Sequence, residues 1–86
     1  SAPAGVDPDE VGAALAGVAG VVDVHDLHVW SIATNFPALA AHVVVADGCD
    51  ARAVRRDLEE VLRDRFGIGH TTLQVEVRPP RLLRPG

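Results

Sequence analysis

The sequence predicts an α+β fold in which two helices cover one face of a three-stranded mixed sheet, on three observations. Apolar residues recur at helical spacing in two segments, 11–18 and 54–66. They alternate at period two in three others, 26–32, 39–46 and 71–77. Glycine, proline and aspartate punctuate the joints, which sets the order α-β-β-α-β.

The first helix starts at Asp7-Pro8-Asp9-Glu10. Asp7 can cap, Pro8 suits a first helical position whose N–H has no partner anyway, and Glu10 stands where a capping box wants it. Val11, Ala14, Leu15 and Val18 then form one stripe, and Gly20 is a stop, so a helix is expected over 8–19. From Asp26 to Ile32 the chain alternates, Leu27 and Val29 on one side and His28, Trp30 and Ile32 on the other. Val22 and Val24 run on the opposite phase, which predicts a bulge or bend near His25-Asp26. Thr34-Asn35-Phe36-Pro37 reads as a turn. The second strand, Leu39 to Ala46, places Leu39, Ala41, Val43 and Val45 on one face and Ala40, His42 and Val44 on the other.

Asp50 is the expected cap of the second helix. Its stripe is Val54, Leu58, Val61, Leu62 and Phe66, its outer side is charged, and Gly67 and Gly69 end it. The last strand, Thr71 to Val77, turns Leu73, Val75 and Val77 inward and Thr72, Gln74 and Glu76 outward. A right-handed crossover through the second helix makes the second and third strands parallel, while the hairpin is antiparallel. The result is a ferredoxin-like α-β-β-α-β sandwich lacking one strand. Residues 1–6 are expected to be a linker remnant, 7–78 the domain and 79–86 a flexible tail.

Composition narrows the function. A chain of 86 residues holds one small domain with a thin stability margin, which metal or a partner subunit commonly augments. The lone Cys49 rules out an internal disulfide. A net charge of −4 argues against a nucleic-acid partner. No stretch nears the roughly 20 apolar residues that cross a bilayer, and no charged n-region opens the chain, so a soluble piece is expected.

The sheet face away from the helices has no cover within the chain. By alternation it carries His28, Trp30 and Ile32, then His42 and Val44, then Thr72, Gln74 and Glu76. An apolar patch with a polar rim marks an interaction surface, and two copies of the patch can bury one another. His28 and the only tryptophan, Trp30, are the expected interface residues.

Four histidines and no CxxC or HExxH define the available chemistry. Imidazole nitrogen and carboxylate oxygen bind zinc when thiolates are lacking, but scattered ligands form a site only where the fold gathers them. Val24-His25-Asp26-Leu27-His28-Val29-Trp30-Ser31-Ile32 followed by Leu39-Ala40-Ala41-His42-Val43-Val44 resembles the hairpin of cation diffusion facilitator cytosolic domains. Phe66-Gly67-Ile68-Gly69-His70-Thr71-Thr72-Leu73-Gln74-Val75-Glu76 resembles their last strand. The resemblance spans about residues 7–77 and is nearest to the zinc, cadmium and cobalt branch of that efflux family.

That resemblance implies a cytosolic C-terminal domain of a divalent-cation efflux transporter, homodimeric and attached to a membrane domain. It implies His25, His42, His70 and Glu76 as metal ligands for Zn2+, or for Cd2+, Co2+ or Ni2+. It further implies a cytoplasmic domain of an inner (cell) membrane protein, with the arginine-rich, lysine-free composition pointing to a bacterium. Pro79-Pro80-Arg81 stands where some relatives carry a cysteine segment, so a cysteine-based second site is not expected. Ordinary alternatives stand beside each assignment. His25 can brace the strand bend, His42 can be a solvated histidine, His70 a loop residue, and Glu76 can pair with Arg78. Asp26 can assist as an acceptor for a histidine N–H or simply stabilise a turn. Two functions follow: a metal sensor that biases the transporter, or a structural dimerisation domain without a functional metal. Catalysis of acylphosphatase type lacks its arginine-bearing anion loop, and Asn35 is the only asparagine, so the domain is not expected to be an enzyme.

Overall fold

The computed structural model describes residues 5–79. The expected linker at 1–6 and tail at 79–86 therefore lie largely outside the described residues. The order is α1 (Pro8–Ala16), β1 (Val21–Ala33), β2 (Phe36–Val45), α2 (Ala51–Phe66) and β3 (His70–Val77). The sheet runs β1-β2-β3, with β1 antiparallel and β3 parallel to β2, as the alternation and crossover predict.

Asp7 caps α1 by accepting the Asp9 N–H at 2.9 Å. The helix ends at Ala16 rather than at residue 19. Gly17 to Gly20 instead form a tight turn, in which Val18 donates to the Leu15 carbonyl and Val21 to the Val18 carbonyl. Gly20, at φ +92°, is the residue without a Cβ penalty that this turn requires. At α2 the Asp50 carboxylate accepts from the Arg52 and Ala53 N–H groups, as its position predicted. At its other end Gly67 adopts φ +67° and donates to the Arg63 carbonyl, while Ile68 donates to that of Leu62. This paired closure satisfies two terminal carbonyls and folds Ile68, fully buried, back under the helix.

β2 is the central strand and the floor of the core: Leu39, Ala41, Val43 and Val45 are at most 1% exposed. Val11 and Leu15 of α1 and Val54, Leu58 and Leu62 of α2 close over them, with Leu73 from β3. Each such side chain contributes about 1.5–3 kcal/mol by leaving water. Val77, turned inward by alternation, sits at the strand's end and is 41% exposed. Pro37 is tolerated in β2 because β3 begins only opposite Ala38, so no strand seeks its missing N–H.

β1 is longer than the alternation over 26–32 suggests, because register shifts interrupt it. His25 pairs with His42 and His28 with Ala40, so Asp26 and Leu27 together oppose the single residue Ala41. Asp26 takes φ +52° at this bulge, a left-handed conformation that aspartate tolerates better than most residues. The bulge lies where the phase change of the valines predicted it, and it puts His25 and His28 on one face.

One carbonyl on the outer edge of β3 is taken. The Arg78 N–H bonds the Val45 carbonyl of β2, so by alternation the backbone groups of Leu73 point away from β2. There the Arg55 guanidinium, reaching from α2, donates to the Leu73 carbonyl.

Candidate metal centre

His25 and His42 are direct cross-strand partners on the bare face of the hairpin. Their rings stand 5.1 Å apart, centroid to centroid, tilted by 60°. The bulge brings Asp26 to the same place. One ligand atom from each of His25, Asp26 and His42 lies within 4.8 Å of the others. Asp26 Oδ2 is 3.9 Å from His42 Nδ1, too far for a hydrogen bond. That spacing leaves room for a cation to be shared. Two imidazoles and one carboxylate are the donor set of three-ligand zinc sites that keep an open position. Among the described residues this is the one group of three or more such side chains.

His25 is held by a further residue. Its Nδ1 lies 2.8 Å from Asp23 Oδ2. Both groups are about half exposed. Sequence reading passed over Asp23, although its signal was present: residues two apart on a strand share a face. Asp26, expected as an acceptor for a histidine N–H or as a turn residue, is a member of the group itself.

The other expected ligands are placed on the same face but apart. Gln74 is the β3 residue opposite His42. Glu76, opposite Val44, is one diagonal away. His70, opposite Ala38, is four residues along the strand from Gln74, about 13 Å at the usual rise. The structure thus gathers His25 and His42 and leaves His70 and Glu76 outside the group. His28 is exposed opposite Ala40. Trp30 is 41% exposed opposite Ala38, and Ile32 and Phe36 extend an apolar patch toward the hairpin turn.

The α-β-β-α-β order with one bare sheet face defines a small α+β domain, and that face carries a histidine–histidine–carboxylate group. The profile described as cation efflux protein, cytoplasmic domain, matches residues 3–78, and the chain belongs to this family. It is 42% identical over 74 residues to the vacuolar zinc transporter TgZnT of Toxoplasma gondii, covering 86% of this chain and 8% of that protein. It is 34% identical over 77 residues to a cadmium, cobalt and zinc/H(+)-K(+) antiporter of Bacillus subtilis, covering 86% of this chain and 24% of that protein. The metal-bound C-terminal domain of the CzcD transporter from Cuprividus metallidurans superposes with a TM-score of 0.78 at 35% identity, covering 83% of this chain and 99% of that domain. The chain spans less than a quarter of the length of both transporters. The family is one of transporter domains, not a catalytic one.

Proposed function

We propose that this domain is the cytosolic metal sensor and pairing module of a divalent-cation efflux transporter. It binds Zn2+ through His25, His42 and Asp26 and thereby biases the conformation of the membrane part. The observation that carries the reading is the convergence of these three donors within 4.8 Å on the bare face of a cation efflux cytoplasmic domain. The chemistry of the set fits zinc, and cadmium, cobalt and nickel accept the same donors. Zinc leads because the Toxoplasma relative is named a zinc transporter and the Bacillus relative a cadmium, cobalt and zinc antiporter.

The second copy in this reading is another molecule of the same chain. Trp30, with Ile32 and Phe36, supplies the apolar part of the surface, and His28 stands on its polar side. Glu76 and His70 remain in the reading as ligands for an ion held when two such faces close on each other. Residues 7–78 form the regulatory unit. Metal can shift the transporter only by its difference in affinity between the open and closed arrangements. The domain acts at the cytoplasmic side of a membrane and performs no catalysis of its own.

Calorimetric titration of Zn2+ into the domain, with a His42→Ala variant alongside, tests the metal half. Saturable binding of about one ion per chain, lost in the variant, is expected from a three-ligand site. Small-angle scattering with and without Zn2+ tests the conformational half, a more closed pair being expected with metal. Absence of zinc binding leaves the structural alternative, a dimerisation domain without a functional metal.

A further inference from the structure

We infer that Asp23 is a positioning residue for the metal: its carboxylate holds the Nδ1 proton of His25 and thereby turns the bare Nε2 outward as the ligating atom. The inference rests on the metal-binding reading above. A neutral imidazole carries one N–H and one bare nitrogen, and only the bare one binds a cation. An ionised carboxylate accepts and cannot donate, so the 2.8 Å contact between Asp23 Oδ2 and His25 Nδ1 places the proton on Nδ1.

The backbone explains why the contact forms. Asp23 and His25 lie opposite Val44 and His42, so both project from the bare face. Val24 between them pairs with Val43 and packs against the core, which pins this stretch of β1. The ring is therefore held at one nitrogen before any ion arrives, and ligand affinity gains from the ordering already done. Among the described residues His42 has no such support, since its carboxylate neighbour, Asp26, stands at 3.9 Å. The site has one fixed arm and one free arm. Carboxylates bonded to the far nitrogen of a ligating histidine change metal affinity by about 10–100-fold.

The test uses the chain in three forms, unsubstituted, Asp23→Ala and Asp23→Asn, at pH 8. Long-range 15N–1H correlation spectra of the zinc-free protein read the His25 tautomer, and competition titration reads Zn2+ affinity. The Nδ1–H tautomer is expected in the unsubstituted chain and is depleted in Asp23→Ala. Zinc affinity is expected to fall about 10–100-fold in Asp23→Ala. A smaller fall is expected in Asp23→Asn, whose amide oxygen still accepts. Asp23 is exposed, so the thermal midpoints of the zinc-free proteins should coincide. An Nε2–H tautomer in the unsubstituted chain overturns the inference, as does unchanged affinity in Asp23→Ala. Equal losses in both variants also overturn it, by making Asp23 a direct ligand. If the unsubstituted chain binds no zinc, the metal reading falls and this inference with it; unchanged affinity in Asp23→Ala sinks the inference alone.

Discussion

Deletion of Asp26 separates what the bulge does for the fold from what it does for the site. In the native pairing two residues, Asp26 and Leu27, face Ala41. Removing Asp26 leaves Leu27 opposite Ala41 and keeps both flanking pairs, His25 with His42 and His28 with Ala40. No side chain changes face, so the usual penalty of a one-residue slip does not arise. The left-handed conformation at φ +52° disappears. For an ordinary L-residue that conformation costs about 1–2 kcal/mol, and less for aspartate, so a gain of about 1 kcal/mol is expected. In a chain of 86 residues this corresponds to a rise of about 4–8 °C in the metal-free melting midpoint. Zinc affinity should move the other way. One of three donor residues is gone, and a loss of at least about tenfold follows, since even outer-shell changes reach that size. Calorimetric melting in EDTA and zinc titration of the same preparation read the two effects. A metal-free protein destabilised by more than about 2 kcal/mol would refute the reasoning, because the inserted residue would then be holding the fold rather than the site.

Two further perturbations test the packing. A Cβ at position 20 would sit 3.0 Å from Cys49 Sγ and 3.3 Å from Val54 Cγ2, at a φ of +92°. Gly20→Ala should therefore cost about 2–3 kcal/mol in urea unfolding. Adding Cys49→Ala should restore about 1 kcal/mol of this, and strict additivity would show that the sulfur is not the obstacle. Leu58→Ala, at a fully buried position, should cost about 2–5 kcal/mol, and a urea midpoint equal to the parent's would place Leu58 outside the core.

The helical parts of the fold were legible because their signals are local. The stripe of α2 and its Asp50 cap lie within a few residues of one another, and the structure reproduces both. β1 was harder. Its alternation is broken by register shifts between Val21 and Asp23, between His25 and His28, and between Ser31 and Ala33, so only its middle reads as a strand. Ile68 was missed because its burial comes from the helix-closing bonds around Gly67, not from any period. At the site, the pairing of His25 with His42 depends on strand register, which the phase change hinted at but did not number. The spread of His70 and Glu76 was legible by contrast, since six residues along one strand separate them by about 20 Å in any register. Asp23 shows the reverse case, a contact whose signal was local and simple but carried no motif.

The two edges of the sheet bear on how such domains can associate. β1 is kinked by three register irregularities, and the outer backbone of β3 is plugged at Leu73 by Arg55. Neither offers the long flat row of free amides and carbonyls that templates strand addition. Edge-to-edge growth has no natural end, since every added strand presents a new edge. A face-to-face pairing is used up once it is made, because the same patch on both copies is consumed. A domain with both sheet edges interrupted and one face left bare is thus shaped for a contact that closes face to face rather than one that grows strand by strand.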